Sequence, residues 1–209
     1  MGALDSNAMD SPKLDLKVFA RAANGSGVFD HQLLIPVFHR WIQEQQLDEL
    51  MIDVADYSHV PDGPSVLLVC HDAHYGLDYG GGELGLLYSR RRETRAPASS
   101  VASLGERLRS VFRSALTACS LLEREPTLVD RLSFPGDRFR LVINDRRYGA
   151  EAIAVVAAEL RTLLAEIFPV VSAEIEIAAD SDDRPTLHIR VPEALGCATL
   201  LDRIEGAGG

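Results

Sequence analysis

The densest group of chemically capable side chains lies between residues 53 and 79. Its first part contains Asp53, Tyr57 and His59, and its second part is the segment CHDAHYGLDY, from Cys70 to Tyr79. Imidazole and carboxylate groups bind metal ions and perform acid–base catalysis. The second part follows an apolar run, and binding or catalytic groups often collect where strands end. We therefore expect any functional site in this part of the chain.

His71, Asp72 and His74 are the members of this group that could hold a metal ion. Their imidazole and carboxylate groups suit zinc, iron or manganese. The H-x-x-H spacing alone is a weak signal, because no predicted helix holds both rings on one face as in an HExxH motif. The ordinary alternative is that the histidines make structural hydrogen bonds at a strand end or lie in solvent. A divalent metal is the expected cofactor only under the metal hypothesis.

The same group could instead perform acid–base chemistry. Asp53, on a neighbouring strand, could lie beside His71 and orient its ring, as carboxylates do for catalytic histidines. Asp53 and His71 are then the candidate catalytic pair. Tyr57, His59 and Tyr75 would line the site as ligand-binding residues.

A second candidate site is the basic segment RRRETR at 90–95. Guanidinium groups hold phosphate and carboxylate ligands with planar donors. Arg90 and its neighbours, together with His188 and Arg190, could form an anion-binding module. The bland alternative is a solvated linker, since RRRETRAPASS at 90–100 has the composition of one.

Several familiar site types are excluded by context. The three glycines at 80–82 precede no Lys-Ser/Thr pair and no helix, so they form a hairpin turn and not a phosphate loop. No G-x-S-x-G motif is present. Cys70 ends an apolar strand, where desolvation would raise its pKa and reduce its reactivity.

Composition limits the protein's partners and its location. The chain has 209 residues and a net charge of −10, which disfavours both nucleic acid and anionic membranes as partners. No apolar stretch is long enough to span a bilayer. The three cysteines each sit in or beside an apolar stretch and are expected to be buried free thiols, which fits a reducing, cytoplasmic location.

Hydrophobic periodicity predicts an alternation of strands and helices. Pro36 suits the first turn of a helix starting near Ile35, and Ser103 with Glu106 has the spacing of a capping box. The expected strands are 14–20, 50–55, 65–70, 83–89, 138–144, 173–178 and 186–191. The expected helices are 35–46, a long one after Ser103, 152–168 and 197–204. The strand at 65–70 is nearly all apolar, so we expect it to be covered on both faces.

The two halves of the chain share one pattern. IDVA at 52–55 matches IEIA at 175–178, and each is followed by an acidic turn ending in Pro64 or Pro185 and then by another strand. The order strand, helix, strand, turn, strand therefore occurs twice. An internal duplication explains this, although two unrelated segments with generic patterning would look similar.

The repeat also predicts which side chains share the sheet face away from the helices. In the second half this face is polar, with Glu176, His188 and Arg190. In the first half it is more apolar and carries Asp53, Ala55, Leu67, Val69 and His71. Apolar side chains on this face would need cover from the other half, from a partner subunit or from a ligand.

The predicted fold is an α+β two-layer sandwich built from a pseudo-duplicated βαββ unit, with a mainly antiparallel sheet and helices on one side. We expect the first half at 14–124, including the long helix, and the second at 125–205. Residues 1–13 are expected to be a disordered tail that begins with an expression-tag remnant, and 206–209 a second tail.

No motif in the sequence fixes a reaction. The leading functional hypothesis is a non-enzymatic, cytoplasmic binding or assembly protein that forms a homo-oligomer and takes a small molecule or a protein as its partner. It rests on the half-apolar sheet face and on the absence of a specific catalytic motif. The alternative is a metal-dependent or acid–base enzyme that acts on a small molecule at His71, Asp72 and His74.

Overall fold

The computed structural model describes residues 13–22, 29–59, 65–91, 102–145, 148–179 and 184–206. Its strands are β1 (Leu14–Phe19), β2 (Arg21–Ala22), β3 (Met51–Asp56), β4 (Val66–Cys70), β5 (Ala73–Asp78), β6 (Gly85–Arg90), β7 (Leu132–Ser133), β8 (Arg138–Ile143), β9 (Glu174–Ala179) and β10 (Pro185–Arg190). Its α-helices are α1 (Leu34–Glu44), α2 (Leu104–Arg124), α3 (Ala150–Ile167) and α4 (Cys197–Gly206). Most of the predicted tails, and the linker from residue 92 to 100, lie outside the described residues.

Eight strands form one continuous antiparallel sheet in the order β3-β4-β5-β6-β1-β8-β10-β9. The helices lie on one side of it, which confirms the predicted α+β class with a mainly antiparallel sheet. The first long strands of the two halves, β1 and β8, pair with each other where the halves meet in the sheet. The two halves therefore share one sheet.

The helices begin and end where their sequences favour it. In α2, the Ser103 hydroxyl accepts from the Glu106 amide at 3.2 Å, and the Glu106 carboxylate accepts from the Ser103 amide at 2.6 Å, which confirms the capping box. Helix α1 starts at Leu34 after one turn of 3-10 helix, so Pro36 occupies the first helical turn, where no backbone N–H is needed.

The helix-facing side of the sheet and the helices enclose one apolar core. Alternate strand residues such as Leu16, Leu68, Tyr75 and Leu141 are fully buried on this side. The other face of β4 differs from the prediction, because Leu67 and Val69 are only half-buried. The strand lies next to the edge strand β3, and the helices cover only one of its sides.

Strand β5 is the main element that the sequence patterns did not predict. Residues 73–78 pair with β4 on one side and with β6 on the other, so CHDAHYGLDY contains a central strand and is not simply the end of one. Successive side chains of a strand point to opposite faces. Tyr75 therefore lies in the core, whereas His74 lies on the helix-free face.

The topology of the two halves can be compared directly. In each half the first strand is followed by a helix and then by an antiparallel pair at the sheet edge, β3–β4 or β9–β10. The first half has an additional hairpin, β5–β6, between its first strand and that pair. Internal duplication stays a prediction, because a shared order of elements does not establish a shared origin.

A buried lysine holds the β5–β6 hairpin against β1. Lys17 has no exposed surface, and its ammonium forms an ion pair with the carboxylate of Asp78. It also donates to the carbonyls of Gly80 at 3.0 Å and Glu83 at 2.6 Å. A Cβ atom on Gly85 would stand 2.6 Å from the Lys17 side chain, so only glycine leaves room for the lysine stem.

The three cysteines are free and buried, as expected. Burial raises the pKa of Cys70 to about 12, so its thiolate is scarcely populated at neutral pH. Among the described residues, no helix is long and apolar enough to cross a membrane.

Replacing Lys17 with methionine should destabilise the protein by about 3–5 kcal/mol, because Asp78 would remain largely buried without its partner. Denaturant unfolding measures this loss. Arg21 is the matched control, because its ion pair with Asp137 at 3.1 Å is exposed. An Arg21→Ala change should cost less than about 1 kcal/mol. Equal effects of the two changes would contradict a structural role for Lys17.

Candidate functional site

Three polar side chains on neighbouring strands form a row on the helix-free face. The register pairs His74 of β5 with Ser89 of β6, and Ser89 with Asp15 of β1. Paired residues on antiparallel strands have Cα atoms about 5 Å apart and share a face. We call His74, Ser89 and Asp15 the polar row.

Arg91 fixes the proton position on the His74 ring. Its Nε and Nη2 atoms lie 3.1 and 2.8 Å from Nε2 of His74. A guanidinium can only donate hydrogen bonds, so Nε2 must accept and the ring proton must sit on Nδ1. Burial, followed by the charge of Arg91, lowers the pKa of His74, so the ring is neutral at pH 7.

The Nδ1–H group of His74 is thus a donor with a known position. Nδ1 is buried and has no hydrogen-bond partner among the described residues. The charges that act most strongly on this ring are those of Arg91, Lys13 and Asp15. The charge of Asp15 therefore acts on the His74 ring within the polar row.

Asp15 presents the complementary acceptor. Only 7% of this residue is exposed, and its Oδ2 accepts from the side-chain amide of Asn144 at 3.0 Å. Its Oδ1 is buried and has no hydrogen-bond partner within the described part of the chain. Burial raises the pKa of Asp15, and this effect exceeds the opposing effects of the Lys13 charge and of hydrogen bonding by the Ser89 and Asn144 side chains.

An unpaired buried polar group is costly. Each such group costs about 1–3 kcal/mol, and buried polar atoms without partners are uncommon in folded proteins. Here a donor on His74 and an acceptor on Asp15 flank the half-buried Ser89 on one sheet face. A ligand with one acceptor group and one donor group could satisfy both atoms.

An apolar strip adjoins the polar row. Val69 is paired with His74, and the next row along the strands places Leu67 and Leu87 on either side of Gly76. The valine and both leucines are half-buried on the helix-free face. The sequence pattern predicts Leu67 and Val69 on this face, and the register agrees.

His71, Asp72 and Asp53, which the sequence pattern favours for chemistry, lie at the edge of this arrangement. Nδ1 of His71 is 2.8 Å from Oδ1 of Asp72, and the two side chains are 66% and 74% exposed. Asp53 lies opposite Val69, and its carboxylate accepts from the backbone amide of Val54. The register therefore does not place Asp53 beside His71.

The predicted ligand-binding tyrosines lie apart from each other. Tyr57 is 43% exposed beyond the end of β3, and its ring centre is 6.4 Å from that of His59. Tyr75 is fully buried in the core, with its ring centre 4.9 Å from that of Tyr88. Burial raises the pKa of Tyr75 far above its usual value.

The second candidate site is divided between the two faces. Arg90 points towards the helices, where its Nη1 donates to Ser110 at 2.9 Å. His188 and Arg190 lie on the helix-free face, opposite Arg140 and Arg138 of β8. Residues 92–95 lie outside the described residues, so the full basic segment cannot be placed.

Metal binding by His71, Asp72 and His74 stays a prediction. No set of three or more His, Cys, Asp or Glu side chains in the described ranges is arranged to share an ion. His74 is held by Arg91, and His71 is paired with Asp72. In the polar row, the pKa of Asp15 is raised and that of His74 is lowered.

Sequence reasoning missed Asp15 and Ser89 because the register that joins them to His74 is non-local. Asp15 lies on β1, far along the chain from the β5–β6 hairpin. No sequence signal pointed to Asp15, because it alternates with Leu14 and Leu16 as an exposed polar residue would. Only the structure shows that β1 is buried along its whole length. Charged residues are rarely buried without a specific reason.

The chain matches no known protein family model, no curated protein and no solved structure in the three comparisons.

An Asp15→Asn change should make the protein more stable at neutral pH. The pKa of Asp15 is raised in the folded state, so its ionised form destabilises the fold above that pKa. As the pH falls through the raised pKa towards 3.8, the wild type binds a proton and the advantage of the variant should shrink. Denaturant unfolding between pH 7 and 4 would measure this. If the difference in the free energy of unfolding between variant and wild type stayed constant over this pH range, the pKa of Asp15 would not be raised.

An Arg91→Gln change should raise the pKa of His74, because it removes the cation that opposes protonation. NMR titration of the ring protons measures this, with a His74→Gln variant to assign the signal. Arg113→Gln, on the exposed face of α2, is the matched control and should leave the titration unchanged. If the pKa of His74 did not change in the Arg91 variant, the contact between Arg91 and the His74 ring would be contradicted.

Proposed function

We propose that the protein is a non-enzymatic binding protein that holds a small polar organic molecule on the helix-free face of its sheet. The observation that carries this proposal is the pair of unpartnered buried atoms, Nδ1 of His74 and Oδ1 of Asp15, among the described residues. Binding sites commonly combine an apolar lining with a few polar groups in fixed positions. The polar row and the strip of Val69, Leu67 and Leu87 supply both.

A ligand with two polar groups suits the site best, because strand β6 separates His74 from Asp15. One group can accept from the Nδ1–H of His74 while the other donates to Oδ1 of Asp15. The Ser89 hydroxyl lies between them and can rotate to donate or accept. Because all three side chains stand on paired strands, the site is pre-organised and loses little entropy when it binds.

Binding can be tested by protein-observed NMR with small hydroxylated amides, diols and hydroxy acids at about 10 mM, which detects millimolar affinities. We expect shifts in the amide signals of Asp15, His74 and Ser89. Asp15→Ala and His74→Phe should each weaken binding about tenfold or more, since each removes one partner of a buried hydrogen bond. If no compound shifts these signals in the wild type, the proposal is wrong.

Matched controls separate the site from general effects of the substitutions. Asp48 and His39 are exposed side chains away from the polar row. Asp48→Asn and His39→Gln should leave binding unchanged. A loss of binding in the controls equal to that in the Asp15 and His74 variants would overturn the assignment of the site.

The enzymatic alternative uses the same row. The raised pKa of Asp15 and the lowered pKa of His74 bring an acid and a base closer together in strength. If a bound hydroxy compound is converted over time, as followed by proton NMR, the protein is an enzyme. If the compound remains unchanged, a binding role is supported.

Assembly is the second candidate function, and the edge strand β3 favours it. Leu50, Ile52 and Tyr57 along this edge are 70%, 56% and 43% exposed. Unpaired edges with apolar side chains readily add another strand. In an antiparallel pair of two copies centred on Val54, Asp53 would face Ala55 and would not face its own copy, so the carboxylates would stay apart.

Light scattering after size exclusion tests this homo-oligomer. An Ile52→Lys change should convert the oligomer to a monomer, because a charge on an edge strand opposes pairing. Val129→Lys, at a residue that is 46% exposed elsewhere, is the matched control and should not change the mass. If the wild type is a monomer, the assembly proposal is wrong, and the ligand-binding proposal is not affected.

We also propose a cytoplasmic location. Its support is that Cys70, Cys119 and Cys197 are all free and buried, as suits a reducing compartment.

A further inference from the structure

A cavity of about 330 Å³ lies at the corner where α1 ends and β3 begins. Its walls combine apolar and acidic side chains, among them Ile42, Leu47, Met51, Asp48 and Glu49. This volume and this mixture are typical of small-molecule sites. Met51 pairs with Cys70, whose side chain is buried in the core, so the cavity opens on the helix side of the sheet. It is therefore separate from the polar row.

The Glu49 carboxylate is half-buried and has no cationic partner among the described residues. Its Oε1 accepts from the Ser114 hydroxyl at 2.9 Å and from the Tyr88 hydroxyl at 3.3 Å. Both donors reach the same oxygen, so Oε2 keeps its capacity to accept. A carboxylate that is partly removed from water is normally paired with a cation, whereas two neutral hydroxyls leave its charge uncompensated.

The charge of Glu49 acts on the side chains around it. Burial, followed by this charge, raises the pKa of both Tyr75 and Tyr88. Arg90 opposes the effect on Tyr88, but its guanidinium donates to Ser110 on α2 at 2.9 Å. The negative potential at this corner is therefore not cancelled by a neighbouring ion pair.

The hydroxyl of Tyr75 adds an unsatisfied group to the same cluster. Tyr75 is fully buried, and its oxygen has no hydrogen-bond partner in the part of the chain that the structure describes. The side chains of Glu49 and Ser114 are nevertheless close enough to shift its pKa, so the hydroxyl is directed at them. Buried polar atoms without partners are uncommon in folded proteins. The wall behind Glu49 is thus polar and incompletely paired.

The C-terminus of α1 adds further negative potential. Ile42 and Gln45, which both line the cavity, lie in its last turn and at its C-cap. The last carbonyls of a helix lack intrahelical partners, and the helix dipole places a partial negative charge there. No basic residue lies in the last turn of α1, which ends at Glu44. The helix end and the two cavity carboxylates therefore all favour a cation.

We propose that this cavity binds a primary ammonium group carried on a short apolar chain. The ammonium donates to Oε2 of Glu49 and is attracted by Asp48 and by the C-terminus of α1. The chain covers Ile42, Leu47 and Met51. This ligand is independent of the one proposed for the helix-free face.

The chemistry of the cavity favours an ammonium over other cations. Divalent metal ions need several oxygen ligands, and no three His, Cys, Asp or Glu side chains in the described ranges are arranged to share an ion. A guanidinium pairs best with both oxygens of a carboxylate, but Oε1 of Glu49 is already occupied. An ammonium is a compact charge that one free oxygen can hold. The apolar wall adds a contact for the chain.

Protein-observed NMR titration with four probes tests the ligand class. The probes are butylammonium, 1-butanol, butylguanidinium and magnesium ion. We expect butylammonium to shift the amide signals of Leu47, Asp48 and Glu49 and to bind about tenfold more tightly than 1-butanol, because hydrogen bonds to charged groups are the stronger ones. Butylguanidinium should bind more weakly than butylammonium, and magnesium should not displace it.

Charge-removing variants add a second readout. Glu49→Gln keeps an oxygen for Ser114 and Tyr88 but removes the charge, so the preference for butylammonium over 1-butanol should fall about tenfold. Asp48→Asn should reduce it by about twofold, because this carboxylate is exposed. Glu193→Gln, in the exposed segment before α4, is the matched control and should leave the preference unchanged.

Three results would overturn the proposal. The first is a preference for butylammonium that survives in Glu49→Gln, or 1-butanol binding as tightly as butylammonium in the wild type. The second is tighter binding of butylguanidinium or magnesium, which would show that the class of cation is wrong. The third is a response to butylammonium at Asp15, His74 and Ser89 in place of the cavity residues, which would assign the amine to the helix-free face.

Discussion

The buried ammonium of Lys17 is the interaction on which the arrangement of the helix-free face depends. It lies in the middle of β1 and joins the carboxylate of Asp78 to the carbonyls of Gly80 and Glu83. A lysine without its partners would not be buried, since desolvation of a charge is expensive. The ion pair therefore fixes the β5–β6 hairpin against β1. That hairpin carries His74 and Ser89, so the same contact aligns them with Asp15.

Local sequence patterns predicted most of the elements of this fold. The alternation in β1, the capping box at Ser103 and the turn at residues 80–82 each depend on residues close together in the chain. Gly81 and Gly82 have φ values of 80° and 79°, which explains why the turn needs glycine. Strand β5 was missed because its polar residues resembled a loop, although His74, Tyr75, Gly76 and Leu77 occupy consecutive strand positions.

The candidate site was harder to predict because it depends on strand order. The residue type of His74 points to chemistry, but its sequence neighbours His71 and Asp72 are paired with each other and not with its ring. In an antiparallel sheet the relevant neighbours are set by the register, which pairs His74 with Ser89 and then Ser89 with Asp15. The insertion of the β5–β6 hairpin next to β1 could not be read from periodicity, so Asp15 was not connected to the cluster.

Two polar-row atoms have no partner among the described residues, and rigid strands hold both of them. A flexible loop could turn Asp15 or His74 towards water, whereas strands paired on both sides hold each side chain on one face. Arg91 further restricts the His74 ring by occupying its other nitrogen. The fold therefore keeps a donor and an acceptor partly desolvated at a cost to its stability. Because these groups are already desolvated and oriented, a ligand whose polar groups pair with both gains affinity without reorganising the protein.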